Sequence, residues 1–312
     1  MKRTFLSIIT LFIAISTYAQ QKDIYLFSYF KNNGQDGLHL AYSEDGLKWQ
    51  ALKGDSSFLK PMVSKDKIMR DPCIIRGADG LFHMVWTDSW TDRGIGYASS
   101  KDLIHWSEQT QLMVMEKEPT AQNCWAPELT YDDVTKTYML YWATTIPGRF
   151  AQSDTSAEGK KSNHRIYYQT TKDFKTYSET KVLYDPHFSS IDATIVKDGR
   201  QFIMFFKNET KQPAEKNLRI AVSRNLIGPY SPPTPKITGD YWAEGPTTLK
   251  IGNKWIVYFD KYTQHKYGAI ESTDLKNWID ISDQLVLPKG IRHGSVFKVT
   301  QQEFDVLKNS GQ

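Results

Sequence analysis

Apolar and polar positions along the chain repeat in a fixed phrase. An apolar or aromatic residue, followed by Ala, Gln, Val or Ile, leads to Ser or Thr. Asp or Asn follows, then Leu or Phe, then a closing aromatic. The phrase stands at 40–49, 97–106, 168–177, 221–230 and 269–278. Its closing aromatics, Trp49, Trp106, Tyr177, Tyr230 and Trp278, are spaced 57, 71, 53 and 48 residues apart. Each copy predicts a strand, a polar turn and an aromatic that starts the next strand. Runs rich in β-branched and aromatic residues precede the copies at 24–30, 81–87, 138–144, 201–206 and 254–259. Such runs predict a second strand. A third element leads four of them, opening at Asp71, Ala126, Asp192 and Glu244, and a fifth opens at His293 near the chain end.

Four strands in each of five repeats predict an all-β fold, a five-bladed β-propeller. The phase of the repeat wraps around the termini. The fifth inner strand is expected at 293–299, and its partners at 24–30 and 38–42. The last blade is therefore expected to close the ring by pairing N- and C-terminal strands, leaving no open edge. A β-sandwich would not explain that wrap. Thr300 with Glu303 predicts a capping box on a short final helix.

Composition changes this picture little. The chain has 312 residues, 40% hydrophobic and 24% charged, which excludes disordered and disulfide-scaffold classes. Net charge is +4 with no basic block, which excludes nucleic acid as the expected partner. Residues 1–19 read as a signal peptide: basic Lys2 and Arg3, an apolar stretch over 5–15, and small residues Thr17 and Ala19 before the cut. Export to the periplasm or beyond is expected, with no membrane anchor and with 20–312 as one domain. Export permits a disulfide between Cys73 and Cys124, although buried free thiols suit two isolated cysteines equally.

The five inner strands place Asp71, Ala126, Asp192, Glu244 and His293 in one register, followed by Pro72, Pro127, Ala193, Gly245 and Gly294. Inner strands of a propeller line its channel, so their leading residues should converge at one mouth. An isolated Asp at a strand start is usually a turn residue. Three carboxyl groups at one phase instead suggest paired acid–base chemistry, as in glycoside hydrolysis. Trp90, Trp125 and Trp242 stand where sugar rings could stack. No GxSxG, HExxH or Walker-type motif competes.

In order along the chain stand Arg70-Asp71-Pro72, Trp125-Ala126-Pro127-Glu128, Ile191-Asp192-Ala193, Glu244-Gly245-Pro246 and Arg292-His293-Gly294. This ordered set resembles glycoside hydrolase family 43. The resemblance implies an inverting enzyme that releases terminal α-L-arabinofuranosyl or β-xylosyl residues from plant cell-wall poly- or oligosaccharides. Its alternatives are a galactosidase of the same family and a non-catalytic sugar-binding propeller. It implies Asp71 as general base, Asp192 as the residue that orients the acid and raises its pKa, and Glu244 as general acid. Arg70, Trp90, Trp125, Glu128, Trp242, Arg292 and His293 would contact substrate or support the site. No cofactor is required, and no residue is assigned to a metal, although His293 could be an indirect ligand of a structural calcium ion in the channel. Glu128 stands where the family commonly has Asp. Segments 145–162 and 207–217 are expected to rim the mouth. The bulky tryptophans favour a pocket and exo action. The sequence does not reveal oligomeric state.

Overall fold

The computed structural model describes residues 23–154 and 162–310; the proposed signal peptide lies outside them. The strands in chain order begin with β1 (Ile24–Tyr29), β2 (His39–Ser43) and β3 (Gln50–Ala51). Next come β4 (Arg70–Arg76), β5 (Phe82–Thr87), β6 (Ile95–Ser100) and β7 (Thr110–Leu112). They are followed by β8 (Trp125–Asp132), β9 (Thr137–Thr145), β10 (His164–Thr171) and β11 (Lys181–Tyr184). Then come β12 (Ser190–Asp198), β13 (Gln201–Asn208) and β14 (Asn217–Ser223). The last are β15 (Glu244–Ile251), β16 (Lys254–Lys261), β17 (Lys266–Ser272), β18 (Ile279–Asp280) and β19 (Val296–Val299). They form five antiparallel sheets, the blades of an all-β propeller. In one sheet the order is β19-β1-β2-β3, with Ile24 opposite Val299 and Phe27 opposite Val296.

The repeated phrase has a mechanical reading. Asp45, Asp102, Asp173 and Asp274 each accept two backbone N–H groups at 2.8–2.9 Å through Oδ1, from the residues two and three further on. These Asx-type turns reverse the chain after the third strand. Trp49 and Trp106 then donate Nε1–H to Gly46 and Leu103 carbonyls at 3.1 Å, closing each turn.

The third repeat departs from the expected four strands: its sheet holds only β12-β13-β14. Pro232, Pro233 and Pro235 occupy the outer segment and lack N–H donors for a ladder. Ser231, Thr234 and Ile237 still donate backbone N–H to Val222, Ile220 and Leu218, so the segment runs beside β14 without becoming a strand.

The core lies between blades, in apolar clusters such as Met139, Tyr141, Ile195, Met204 and Phe206. Side chains also stitch every seam near the channel. Ser295 Oγ accepts Ile74 N–H, Thr87 Oγ1 accepts Ala126 N–H, and Tyr141 Oη accepts Ile195 N–H, at 2.8–2.9 Å. Asp192 accepts Gly245 N–H, and Thr247 accepts Val296 N–H, both at 3.0 Å. The final helix α1 (Gln301–Asn309) carries the expected capping box of Thr300 and Glu303, and buries Phe304 and Leu307. Cys73 and Cys124 are both free and buried. Among the described residues no helix is long and apolar enough to cross a membrane.

Candidate active site

The inner strands β4, β8, β12 and β15 all break register near their start. The shifts fall between Arg70 and Cys73, Trp125 and Glu128, Ile191 and Thr194, and Glu244 and Thr247. These are β-bulges, which re-aim side chains at a sheet end. Asp71, Ala126 and Asp192 take left-handed φ values of 52°, 45° and 52° at the bulge. Non-glycine residues rarely adopt that region, and its occurrence at three equivalent positions marks a built feature.

The fourth inner strand corrects the expected register. Its left-handed residue is Gly245, at φ 59°, so Glu244 stands one position ahead of Asp71 and Asp192 and level with Arg70. The cause is local crowding. A Cβ on Gly245 would stand 2.4 Å from the His293 ring. Only glycine fits there, and the carboxylate comes from the residue before it.

All three expected catalytic carboxylates nevertheless meet. Asp71, Asp192 and Glu244 line a cavity of about 220 Å³, together with Arg70, Thr87, Trp90, Trp125, Lys207, Glu209 and His293. His293 bridges two of them: Nδ1 is 3.2 Å from Asp71 Oδ1, and Nε2 is 3.0 Å from Glu244 Oε1. Ionised carboxylate oxygens only accept, so both ring nitrogens carry hydrogen and His293 is an imidazolium. Burial alone would lower its pKa; the charges of Glu244 and Asp71 prevail and push it up to about 10.

The carboxyl groups divide in charge state. Burial opposes ionisation of Asp71, but hydrogen bonding and charge from His293, with Arg70 and the Thr87 hydroxyl at 2.7 Å, hold it below the usual range. Burial would also raise Glu244. Lys207 Nζ at 2.8 Å and His293 overcome that and hold its carboxyl far below normal. Burial pushes Asp192 up to about 6, against His293 and Lys207 and with help from Glu244 and Asp71. Lys207 and the His293 imidazolium beside Glu244 thus outweigh the upward pull of the Asp192 charge in the free protein.

The other expected residues separate. Arg70 lies between the rings of Phe30 and Trp90, 4.7 and 4.5 Å away, and donates to Asn33 Oδ1. Trp90 and Trp125 meet edge to face at 5.9 Å and line both the central cavity and a neighbouring one of about 420 Å³. Arg292 contacts Asp260 Oδ2 at 2.5 Å and Glu244 Oε1 at 3.4 Å. It lines a third cavity, about 700 Å³, with Asp260 and Tyr262. Trp242, 41% exposed, lies 5.9 Å from the Lys216 ammonium and outside the central lining.

Glu128 lies outside the lining of the central cavity. It lines a cavity of about 20 Å³ in the channel, directly behind the central one and sharing Asp71, Asp192 and His293 with it. Desolvation there, with charge from Asp192 and Asp71, pushes its pKa up to about 8, and Tyr141 donates to it at 3.1 Å. A cavity of that size holds about one water molecule, whereas calcium takes six to eight oxygen ligands. Glu244, Asp260 and His293 do cluster within 4.8 Å, but their facing atoms already hold Arg292, Lys207 and a ring proton. The residues present do not fit a calcium ion.

Asp260 and Thr87 escaped the sequence reading as functional residues, and Lys207 and Glu209 entered it only within the segment 207–217 expected to rim the mouth. Antiparallel register could have found three of them. Residues opposite the start of an inner strand close the second strand: Thr87 faces Arg70, Lys207 faces Ile191, and Asp260 faces Glu244.

The family described as "Probable glycosyl hydrolase domain", related to glycoside hydrolase family 43, matches residues 21–305. An α-L-arabinofuranosidase of Bifidobacterium longum subsp. longum is 24% identical over 218 residues, covering 59% of this chain and 20% of that protein. The chain thus spans about a fifth of that relative's length. An α-L-arabinofuranosidase from Lactobacillus brevis superposes with TM-score 0.54 at 17% identity, covering 69% of this chain and 72% of that one. A family 43 protein, BlXynB from Bacillus licheniformis, superposes with TM-score 0.52 at 20% identity, covering 72% and 42%. Both likenesses support the five-bladed fold.

Proposed function

Because the chain belongs to the glycosyl hydrolases of family 43, we propose that it releases terminal pentose units, α-L-arabinofuranosyl or β-xylosyl, by inversion. The observation that carries this reading is Asp71 and Glu244 at opposite ends of the His293 ring in one cavity. Two contacts and an imidazole's width keep their facing oxygens no more than about 8 Å apart. Inverting pairs need roughly 6.5–9.5 Å so that a water fits on one side of the sugar.

Asp71, held ionised, takes a proton from that water as it attacks the anomeric carbon. The bond to the leaving oxygen breaks, and Glu244 supplies the proton there. In the free protein that proton rests on His293 Nε2, 3.0 Å from Glu244 Oε1. Transfer along this contact gives a neutral imidazole and a protonated Glu244; after the step Asp71 releases its proton to solvent and Nε2 takes one from solvent, which restores the starting charges. Asp192 fixes the bulge behind Glu244 through Gly245 N–H.

The small central cavity suits one sugar ring, which supports exo action. The two flanking cavities would take the rest of a poly- or oligosaccharide. The arabinofuranosidase relative supports arabinose as the first candidate. The leader pattern over 1–19 supports export, and pairing of β19 with β1 supports ring closure by the two chain ends. A screen of aryl α-L-arabinofuranoside, β-xyloside and β-galactoside tests the reading. Turnover of a pentoside with the inverted anomer as first product is expected; no turnover of any glycoside would overturn it.

A further inference from the structure

Lys207 has no task in the reaction as written. It lies near the mouth end of β13, buried, with its ammonium 2.7 Å from Glu209 Oε2 and 2.8 Å from Glu244 Oε2. The Tyr262 ring lies 4.7 Å from that ammonium. Glu209 is itself held by Lys211 and Lys216, each at 2.6 Å. Charges therefore alternate from the rim inward: two lysines, Glu209, Lys207, Glu244. The rest of β13 packs through apolar residues such as Phe205 and Phe206, so packing gives no reason for a buried ammonium here. Burying one is costly unless carboxylates flank it, and two do.

Resting on the hydrolase reading above, we infer that Lys207 is a positioning residue for Glu244, and that Glu209 acts through Lys207 to set how readily Glu244 takes its proton. The geometry allows little else. Lys207 Nζ stands on Oε2 of Glu244, while His293 stands on Oε1. One oxygen is pinned and the other faces the proton. The full charge of Lys207 would keep Glu244 ionised, and the negative charge of Glu209 offsets part of it. Glu244 also faces Arg70, Asp71, Asp192, Asp260, Arg292 and His293, all of which two single changes leave in place.

The test compares Lys207→Met with Glu209→Gln. Removing the cation favours protonation, so the alkaline limb of kcat/KM should move to higher pH in Lys207→Met. Removing the anion leaves Lys207 unopposed, so the limb should move to lower pH in Glu209→Gln. Charge changes at this distance shift a titration by about one unit or more, a tenfold change in the protonated fraction. A structural role would lower activity without moving the limbs in opposite directions. Carbon-13 titration of side-chain carboxyls in the free protein, with Glu244 assigned by its loss in Glu244→Gln, gives a readout independent of turnover. Glu244 should titrate at higher pH in Lys207→Met than in wild type. Either folded variant decides by sign, and limbs that stay fixed or move together would overturn the inference. An inactive wild type with a shifted Glu244 titration would instead count against the hydrolase reading alone.

Discussion

Asp192 Oδ2 accepts the backbone N–H of Gly245 at 3.0 Å, joining the third and fourth inner strands at their bulges. The carboxylate that the sequence suggests as a tuner of Glu244 therefore also holds the backbone that presents it. Asp192→Asn keeps the shape and one acceptor oxygen but removes a negative charge from the cluster. Its removal lowers the proton affinity of the remaining groups. The alkaline limb of kcat/KM should fall by about one pH unit, with a smaller change in the acid limb set by Asp71. A full pH profile of wild type and variant checks this; an unchanged alkaline limb would assign Asp192 to backbone support alone.

Gly245→Ala should damage activity more than stability. The new Cβ meets His293 Cγ, Cδ2 and Nδ1 at 2.4–2.7 Å, so the ring must move off Asp71 and Glu244. Displacing a catalytic group by about 1 Å can cost on the order of a hundredfold in rate. Steady-state kinetics beside a thermal melt will separate the two effects.

Glu128→Gln should flatten part of the pH dependence of stability. A carboxyl whose folded pKa is raised, here from 4.5 to about 8, binds more protons in the native state than in the unfolded one. Wild type therefore loses stability as pH rises from about 4.5 to about 8. The amide keeps an acceptor for Tyr141 and cannot ionise. Melting curves at pH 5 and pH 9 should show the variant's advantage at pH 9 only, on the order of a few kcal/mol.

Chelator treatment should leave activity and melting temperature unchanged, and added calcium should not raise either. The channel cavity beside Glu128 is too small for a hydrated ion, and the Glu244–Asp260–His293 cluster is already neutralised by Arg292 and Lys207. Calorimetric titration with calcium provides the direct check.

The propeller was legible because its turns are chemical. Ser/Thr-x-Asp recurs where Asp45, Asp102, Asp173 and Asp274 must each satisfy two N–H groups, and Trp49, Trp106 and Tyr177 close their turns. The third blade's missing outer strand was also written in its prolines, once read as absent donors. Asp71 and Asp192 were found in their true register. Glu244 was found as a residue but misplaced by one, because the bulge residue of its strand is Gly245, which His293, 49 residues from Glu244 in sequence, leaves no room to carry a side chain. Charge states were not legible: Lys207 closes an aromatic strand like any solvated lysine, and only folding brings it to Glu244. Glu128 was legible as a carboxylate near the site, but not its place behind Asp71 and Asp192 in the channel, which follows from the bulge between it and Trp125.

The central claim is that Glu244 donates, and Asp71 receives, the proton of one hydrolytic step. The most direct measurement is kcat/KM of wild type, Glu244→Ala and Asp71→Ala on two aryl pentosides, one with a very good leaving group and one with a poor one. A good leaving group needs little protonation. Glu244→Ala should lose far more activity on the poor leaving group than on the good one, whereas Asp71→Ala should lose activity on both alike. Near-native turnover in either variant, or equal losses on both substrates for Glu244→Ala, would contradict the account.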